Sequence, residues 1–198
     1  MINLYAKEVD GVWFGIACDE EKIFATSFAF EKKHALHSLL HSIPYNVPFQ
    51  HMEKPSTFAN RLLSLLKDVY EGKNVSYDFP LATEHLSNYA RKVIAVVSKI
   101  PVGFASSYGL VARAAGGSPR AVGRVMATNP FAPIVPCHRV VSADLGLGGY
   151  GGGLKAKLDF LRRERRGFSS EREIQVNGGK LRVFPVEFVL RKVEKGKC

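Results

Sequence analysis

The stretch "LVARAAGGSPRAVGRVMATNP", residues 110–130, decides the fold of the C-terminal half of this chain. Residues 110–115 predict a short helix, and the two glycines that follow them predict a turn. Ser118 and Pro119 then have the residue types preferred at the N-cap and first position of a second helix. Two helices joined by a tight turn are typical of a helix-turn-helix.

The second helix of this pair has few side chains that could read a base sequence. A recognition helix in the major groove usually presents long polar side chains to base edges. This helix presents Arg120 in its first turn, followed by the small residues Ala121 and Gly123. Small residues allow a helix to approach a narrow groove closely, but they equally allow tight packing inside the protein.

The run "IVPCHRVV", residues 134–141, contains a cysteine next to a histidine in apolar surroundings. One interpretation is a buried strand, since cysteine without a disulfide often packs as a small hydrophobe. The other is a reactive thiol with a base. In an extended backbone the side chains of Cys137 and His138 point to opposite faces, so the base needs a bend or a bridging water. A carboxylate such as Glu164 could hold the imidazole tautomer.

A glycine-rich segment, "GLGGYGGG" at residues 146–153, lies between this run and a predicted helix over residues 153–167. Such a loop is too flexible to be core. It could close over a small planar ligand and offer backbone N–H donors. It lacks the lysine placement of a nucleotide phosphate loop, so phosphate binding is not favoured.

Residues 1–83 predict a small α/β domain that serves as a scaffold. Residues 11–30 predict an antiparallel hairpin, a helix follows it and ends at Pro44, and Ser56 is the predicted N-cap of a second helix. Residues 74–81 predict a short edge strand.

Three histidines of the first helix could share one helical face, because they lie three and four residues apart: His34, His37 and His41. No cysteine or carboxylate is placed to complete a metal site with them. We therefore predict no metal ligands in this chain and favour a solvated helix face.

Charge and cysteine content narrow the class of protein. The net charge of +10 and pI near 9.6 indicate a polyanionic partner, and nucleic acid is the usual one. No apolar run approaches the roughly 20 residues of a membrane span, and no signal peptide is evident, which predicts a cytosolic protein without a membrane partner. Three cysteines without paired spacing indicate neither a disulfide framework nor a cysteine-rich zinc site.

Three segments together resemble the DNA-binding, alkyl-accepting domain of the O6-alkylguanine-DNA alkyltransferases, also called methylated-DNA–protein-cysteine methyltransferases. They are "SPRAVGRVMATNP" (118–130), "NPFAPIVPCHRVV" (129–141) and "GYGGGLKAKLDFLRRE" (149–164). The resemblance covers about residues 86–167. It implies an α/β N-terminal domain, ribonuclease-H-like, with a small antiparallel sheet and helices over residues 1–83. A mainly α, winged-helix-like domain with the helix-turn-helix would follow over residues 84–167.

The resemblance also implies roles for individual residues. Cys137 would be the alkyl acceptor, His138 a water-linked base, Glu164 its orienting partner, and Asn129 a brace for the adjoining turn. The residues implied to contact DNA are Tyr108, Arg120, Ala121, Gly123 and Arg124. The residues implied to line the substrate pocket are Met126, Val140, Tyr150 and Gly151.

The activity implied by the resemblance is irreversible, single-turnover transfer of an alkyl group from O6-alkylguanine in double-stranded DNA to Cys137. The base would be flipped out through the minor groove by a monomeric protein that needs no cofactor. A sensor of alkylated DNA that does not repair it is an alternative, but such proteins lack the acceptor cysteine. A cysteine hydrolase, which would turn over repeatedly, is the other alternative.

Residues 168–198 lie outside the resemblance. They predict a β-hairpin-like extension, with a hairpin around Asn177-Gly178 and a further strand after it. No role for this extension follows from its sequence.

Overall fold

The computed structural model describes residues 1–76, 78–177 and 179–196, which form two compact units. The first unit contains residues 1–70, 75–86 and 129–134, and the second contains residues 71–74, 87–128 and 135 onward. Each unit has its own four-stranded sheet. Within the described ranges, no helix has the length and apolar character needed to cross a membrane.

The first unit packs two helices on a mixed sheet. Its elements are β1 (Ile2–Val9), β2 (Val12–Cys18), β3 (Ile23–Ala29), α1 (Lys32–Ser42), β4 (Phe49–His51) and α2 (Thr57–Tyr70). The strand order is β3-β2-β1-β4. The predicted hairpin is confirmed as β2 and β3, and Asp19 closes its turn by accepting the N–H groups of Glu21 and Lys22 at 2.8 and 2.7 Å. The predicted cap of α2 is confirmed as well, since Ser56 Oγ accepts the N–H of Ala59 at 3.2 Å.

Two features of this sheet differ from the sequence prediction. The sheet is not wholly antiparallel, because β4 joins β1 in parallel. The predicted edge strand at residues 74–81 is wrong: apart from Tyr77, which lies outside the described residues, this segment contributes one isolated bridge, between Ile23 and Leu81. All three residues of β4 are exposed, so no alternation of apolar residues marked it as the edge strand.

The second unit combines helices with a sheet that includes the C-terminal extension. Its elements are α3 (Asn88–Val97), β5 (Phe104–Ser107), α4 (Tyr108–Ala115), α5 (Pro119–Ala127), β6 (Val140–Val141), α6 (Leu154–Arg163), β7 (Arg172–Val176), β8 (Gly179–Pro185) and α7 (Val186–Lys195). The strand order is β6-β5-β8-β7. The β5–β6 pair is parallel, whereas β8 runs antiparallel to both β5 and β7.

The predicted helix-turn-helix is confirmed as α4 and α5. Ser107 and Ser118 cap the two helices by accepting the N–H groups of Leu110 and Ala121. Between the helices, Gly116 and Gly117 have φ values of 80° and 102°, a left-handed conformation that residues with a Cβ rarely adopt.

The extension differs from its prediction in one element. The hairpin is confirmed as β7 and β8, although Gly178 lies outside the described residues. The strand predicted after it is wrong, because residues 186–195 form helix α7. Val186, Val189 and Leu190 recur at helical spacing and are buried, and this period outweighs the β propensity of the individual residues. They join a core cluster with Ala105, Val141 and Leu161.

Candidate active site

Cys137 lies on a tight turn rather than in a strand. Pro136 has φ −80° and ψ 66°, and Cys137–Arg139 form one turn of 3-10 helix. The N–H of Arg139 donates to the Pro136 carbonyl at 2.9 Å, and β6 begins immediately after the turn. The interpretation of this run as a buried strand therefore does not hold at Cys137 and His138, because the chain bends there.

Behind this turn, two basic side chains share one buried carboxylate. The Nε2 atom of His138 lies 2.8 Å from Oε1 of Glu164. Arg139 donates from Nε to Oε2 at 2.9 Å and from Nη2 to Oε1 at 2.8 Å, and its Nη1 donates to the Ile100 carbonyl at 2.6 Å. His138 and Glu164 have no exposed surface, and the imidazole stacks on Phe160 with ring centroids 4.4 Å apart.

The electrostatics of this cluster favour a neutral imidazole beside a charged carboxylate. Burial lowers the pKa of His138, and the attraction of Glu164 only partly opposes it. Burial alone would raise the pKa of Glu164, but the hydrogen bond from His138 together with the charge and hydrogen bonds of Arg139 outweigh burial and lower that pKa. The bidentate contact of the Arg139 guanidinium with the carboxylate supports this direction.

These contacts define the state of the imidazole. With Nε2 protonated and donating to Glu164, the Nδ1 atom carries the lone pair. Nδ1 is buried and has no hydrogen-bond partner among the described residues. It is therefore the atom of His138 that can accept a proton.

Lys157 of α6 links the reactive turn to the glycine-rich loop. Its fully buried Nζ donates to the Val140 carbonyl at 2.6 Å and to the Gly149 carbonyl at 3.2 Å. Burial lowers the pKa of Lys157 to about 8, and the nearby Cys137 works in the opposite direction. An ammonium in this position favours a thiolate at Cys137.

Two tyrosines lie near the cysteine. The Tyr108 hydroxyl donates to the Gly149 carbonyl at 3.2 Å. The Tyr150 hydroxyl is buried and forms no hydrogen bond of ordinary geometry with any described residue. Burial first, and then the proximity of Cys137, raises the pKa of both hydroxyls, so both stay protonated at neutral pH.

Cys137, which is 5% exposed, forms part of the wall of a cavity of about 580 Å³. The cavity is lined by Tyr108, Pro119, Arg120, Gly123, Met126, Ala127, Cys137, Gly149, Tyr150 and Gly151. A Cβ atom built at Gly123 or Gly149 would meet nothing within 4 Å, so the cavity has open space at both glycines.

The structure brings most of the predicted site residues to this cavity or directly behind it. Four lie elsewhere. Ala121 and Arg124 are on α5 but not in the cavity lining, and the fully buried Val140 turns its carbonyl to Lys157. Asn129 belongs to the other unit, where its Oδ1 accepts the N–H of Phe131 at 3.0 Å.

The sequence interpretation assigned no role to Lys157 or Arg139. A signal for Lys157 exists: it lies on the apolar stripe of α6, between Leu154 and Leu161, where a charged residue is unusual. Arg139 had no comparable signal, because its contact with Glu164 joins residues 25 positions apart.

Within the described ranges, no group of three or more histidine, cysteine or acidic side chains could hold a metal ion. His37 and His41 do approach each other, with Nε2 atoms 3.1 Å apart, on the exposed face of α1. Cys18 is a buried thiol whose pKa rises to about 12 through burial, which makes it unreactive.

Comparison with known proteins identifies relatives of the second unit. The profile of the family described as "6-O-methylguanine DNA methyltransferase, DNA binding domain" matches residues 88–166. A methylated-DNA–protein-cysteine methyltransferase of Mycolicibacterium paratuberculosis is 40% identical over 116 residues, 58% of this chain and 69% of that protein. One from Methanothermobacter thermautotrophicus is 39% identical over 111 residues, 56% of this chain and 63% of that protein.

Solved structures match a larger share of the chain. O6-methylguanine-DNA methyltransferase of Pyrococcus kodakaraensis is 27% identical, with a TM-score of 0.64 over 83% of this chain and 99% of that one. Mycobacterium tuberculosis OGT, solved in complex with DNA, is 26% identical, with a TM-score of 0.66 over 82% of this chain and 92% of that one.

Proposed function

This chain belongs to the methylated-DNA–protein-cysteine methyltransferase family, and from that premise we propose that it repairs DNA by transferring an alkyl group from O6-alkylguanine to Cys137. The transfer is irreversible, so each protein molecule acts once. The observation that carries the proposal is Cys137 in the wall of the cavity with the His138–Glu164–Arg139 cluster buried behind it.

In the proposed reaction, the thiol of Cys137 loses its proton to Nδ1 of His138 through a bridging water. Glu164 stabilises the imidazolium that forms, and the Lys157 ammonium stabilises the thiolate. The sulfur attacks the alkyl carbon, an S–C bond forms, and the C–O6 bond breaks with its electron pair remaining on guanine. Guanine takes up one proton and the His138 imidazolium releases one, so the products are a thioether and an unmodified base, and no cofactor is consumed.

We propose double-stranded DNA containing O6-alkylguanine as the partner, bound through the minor groove by a monomer. The net charge of +10 suits phosphate contacts. The target atom lies inside the duplex, so the nucleotide must be flipped out at a cost of a few kcal/mol. Arg120 is exposed at the start of α5 and also lines the cavity, which suits a side chain that fills the vacated space in the base stack.

The finer description of the fold is part of this proposal. The strand order β5-β8-β7 beside α4 and α5 supports a winged-helix-like arrangement, and the parallel addition of β4 to β1 supports a ribonuclease-H-like first unit. In functional terms, residues 1–83 are the scaffold, residues 84–167 the alkyl-accepting domain and residues 168–198 an extension. A cytoplasmic location stays a prediction from the sequence.

Intact mass spectrometry before and after mixing with an excess of duplex oligonucleotide containing O6-methylguanine tests the function. We expect one added methyl group per protein molecule, located on the peptide that contains Cys137. Cys137→Ala should take up nothing, whereas Cys18→Ser should react like the unmodified protein, because Cys18 is buried outside the cavity.

Three results would contradict the proposal. A label on another residue would remove Cys137 as acceptor. Loss of the methyl group from DNA with continuing turnover and an unchanged protein mass would indicate hydrolysis. Binding of the modified duplex without any mass change would indicate a sensor.

A further inference from the structure

The C-terminal extension packs against the end of the helix that leads to Glu164. The family profile ends at residue 166, so β7, β8 and α7 lie beyond it. Helix α7 contacts α6, and Val189 and Leu190 share a core cluster with Leu161. The extension therefore belongs to the same packed body as the candidate active site.

One carboxylate of the extension binds the backbone just after α6. Glu187, in the first turn of α7, accepts the N–H of Arg166 at 3.0 Å and the N–H of Gly167 at 2.5 Å, both through Oε1. Gly167 has φ 75°, a left-handed conformation that turns its N–H toward the same oxygen as the preceding N–H. Glu187 is 9% exposed, and its Oε2 has no hydrogen-bond partner among the described residues.

The segment held by Glu187 begins two residues after Glu164. Glu164 is the C-cap residue of α6, with φ −83° and ψ 0°, so its position depends on how the chain leaves the helix. Two further contacts hold the chain where it leaves α6. The Arg166 guanidinium donates to the Gly72 carbonyl, and Phe168 stacks on Phe104 with ring centroids 4.8 Å apart.

We propose that Glu187 is a positioning residue for the alkyl-transfer reaction: by holding the N–H groups of Arg166 and Gly167, it fixes Glu164 against His138 and Arg139. This inference rests on the proposed function for its biological meaning. On this proposal the C-terminal extension, which lies beyond the residues matched by the family profile, takes part in activating Cys137.

The test measures how readily Cys137 forms a thiolate, with iodoacetamide as the probe. The rate of carbamidomethylation of Cys137 is followed by mass spectrometry from pH 5 to pH 10 in the full-length protein. In Glu187→Ala the acceptor is gone, Glu164 is held less firmly, and the imidazolium loses support. We expect the midpoint pH, at which the rate is half-maximal, to rise. The rate at pH 7 should fall by up to about a hundredfold, as for a misplacement of about 1 Å.

Two variants separate positioning from stability. Glu187→Gln keeps an amide oxygen that can accept the same two N–H groups, so it should retain the midpoint of the unmodified protein. Leu181→Ala creates a cavity in β8 of the same extension but removes no hydrogen-bonding group. It should lower the melting temperature without moving the midpoint. If Glu187→Ala fails to fold, Glu187→Asp, with its carboxylate withdrawn by one methylene, takes its place in every comparison.

A double-mutant cycle with Glu164→Gln determines whether Glu187 acts through Glu164. If Glu187 acts through Glu164, the double variant is no slower than Glu164→Gln alone. If the rate losses of the two single variants multiply in the double variant, or if the midpoint pH of Glu187→Ala is unchanged, the inference is overturned. Failure of the proposed function would show differently: iodoacetamide would still report the effect of Glu187, while the unmodified protein took up no methyl group from DNA.

Discussion

Glu164 is a single carboxylate that serves two basic side chains on the same short turn. It orients the imidazole of His138 and neutralises the guanidinium of Arg139 in a site without exposed carboxylate surface. Removing one member of such a cluster leaves an uncompensated buried group. The carboxylate therefore contributes to both the protonation state of the base and the local structure around it.

We expect Glu164→Gln to raise the midpoint pH of alkyl transfer. The neutral amide keeps the shape but loses a charge-assisted hydrogen bond to the imidazolium, worth about 2 kcal/mol. That loss corresponds to a rise of about 1.5 pH units. Single-turnover rates against pH, with the free modified base as substrate, measure this effect without a contribution from DNA binding. An unchanged profile in a folded variant would mean that His138 acts without the carboxylate.

The sequence alone left the role of Glu164 open, because it stands in the run "RRERRG" and could be one charge of a solvated face. The burial of Glu164 excludes the solvated face, and burial depends on contacts between residues far apart in the chain. The turn at Cys137 was also left open, although its neighbours are local: Pro136 directly precedes it and β6 begins directly after it.

Among the secondary-structure elements, helix α5 has the main proposed role in contacting DNA and flipping the base. Its N-terminal turn presents Arg120 at the cavity, whereas Arg124, one turn later, is exposed but lies outside the lining. The start of this helix could be predicted from the sequence, because an N-cap residue, a proline in the first turn and glycines in a left-handed conformation are local signals. Strand β4 was missed because long-range pairing determines it, and α7 was missed because the β propensity of its individual residues was given more weight than their helical spacing.

We expect Arg120→Ala to slow repair of duplex DNA far more than reaction with the free modified base. Only the duplex leaves a vacancy in the base stack that the guanidinium can fill. Arg124→Ala is the matched control, since it removes an identical charge from the same helix, and at saturating DNA it should lower both rates little. Single-turnover rates on both substrates give the comparison. Equal losses on the two substrates in Arg120→Ala would move this residue from base flipping to the pocket.

For the molecule as a whole, the net charge of +10 favours phosphate contacts, and the number of those contacts determines how DNA binding responds to salt. Phosphate contacts release counterions, so the logarithm of the binding constant falls linearly with the logarithm of salt concentration. Few side chains of α5 could read base edges, so affinity should depend weakly on sequence. Charge and composition indicated a polyanionic partner, whereas O6-alkylguanine as the damaged base is proposed from the family and not from the charge.

We expect binding to undamaged duplex DNA to weaken by about a thousandfold between 50 and 200 mM salt if about six phosphates are neutralised. Fluorescence anisotropy with oligonucleotides of unrelated sequence measures both dependences at once. A flat salt plot would exclude an electrostatic interface. A large preference for one sequence would contradict the assignment of α5 as a helix with little base readout.

The position of β8 between β5 and β7 has a consequence for the order of events during synthesis. Strand β5 pairs with β8 about 80 residues later in the chain, so the second sheet cannot be completed until the C-terminal segment has left the ribosome. Until then Glu187, too, is missing from the exit of α6. A nascent chain can thus expose Cys137 before its supporting structure exists, and premature termination after α6 would leave a polypeptide with the acceptor thiol but an unfinished site.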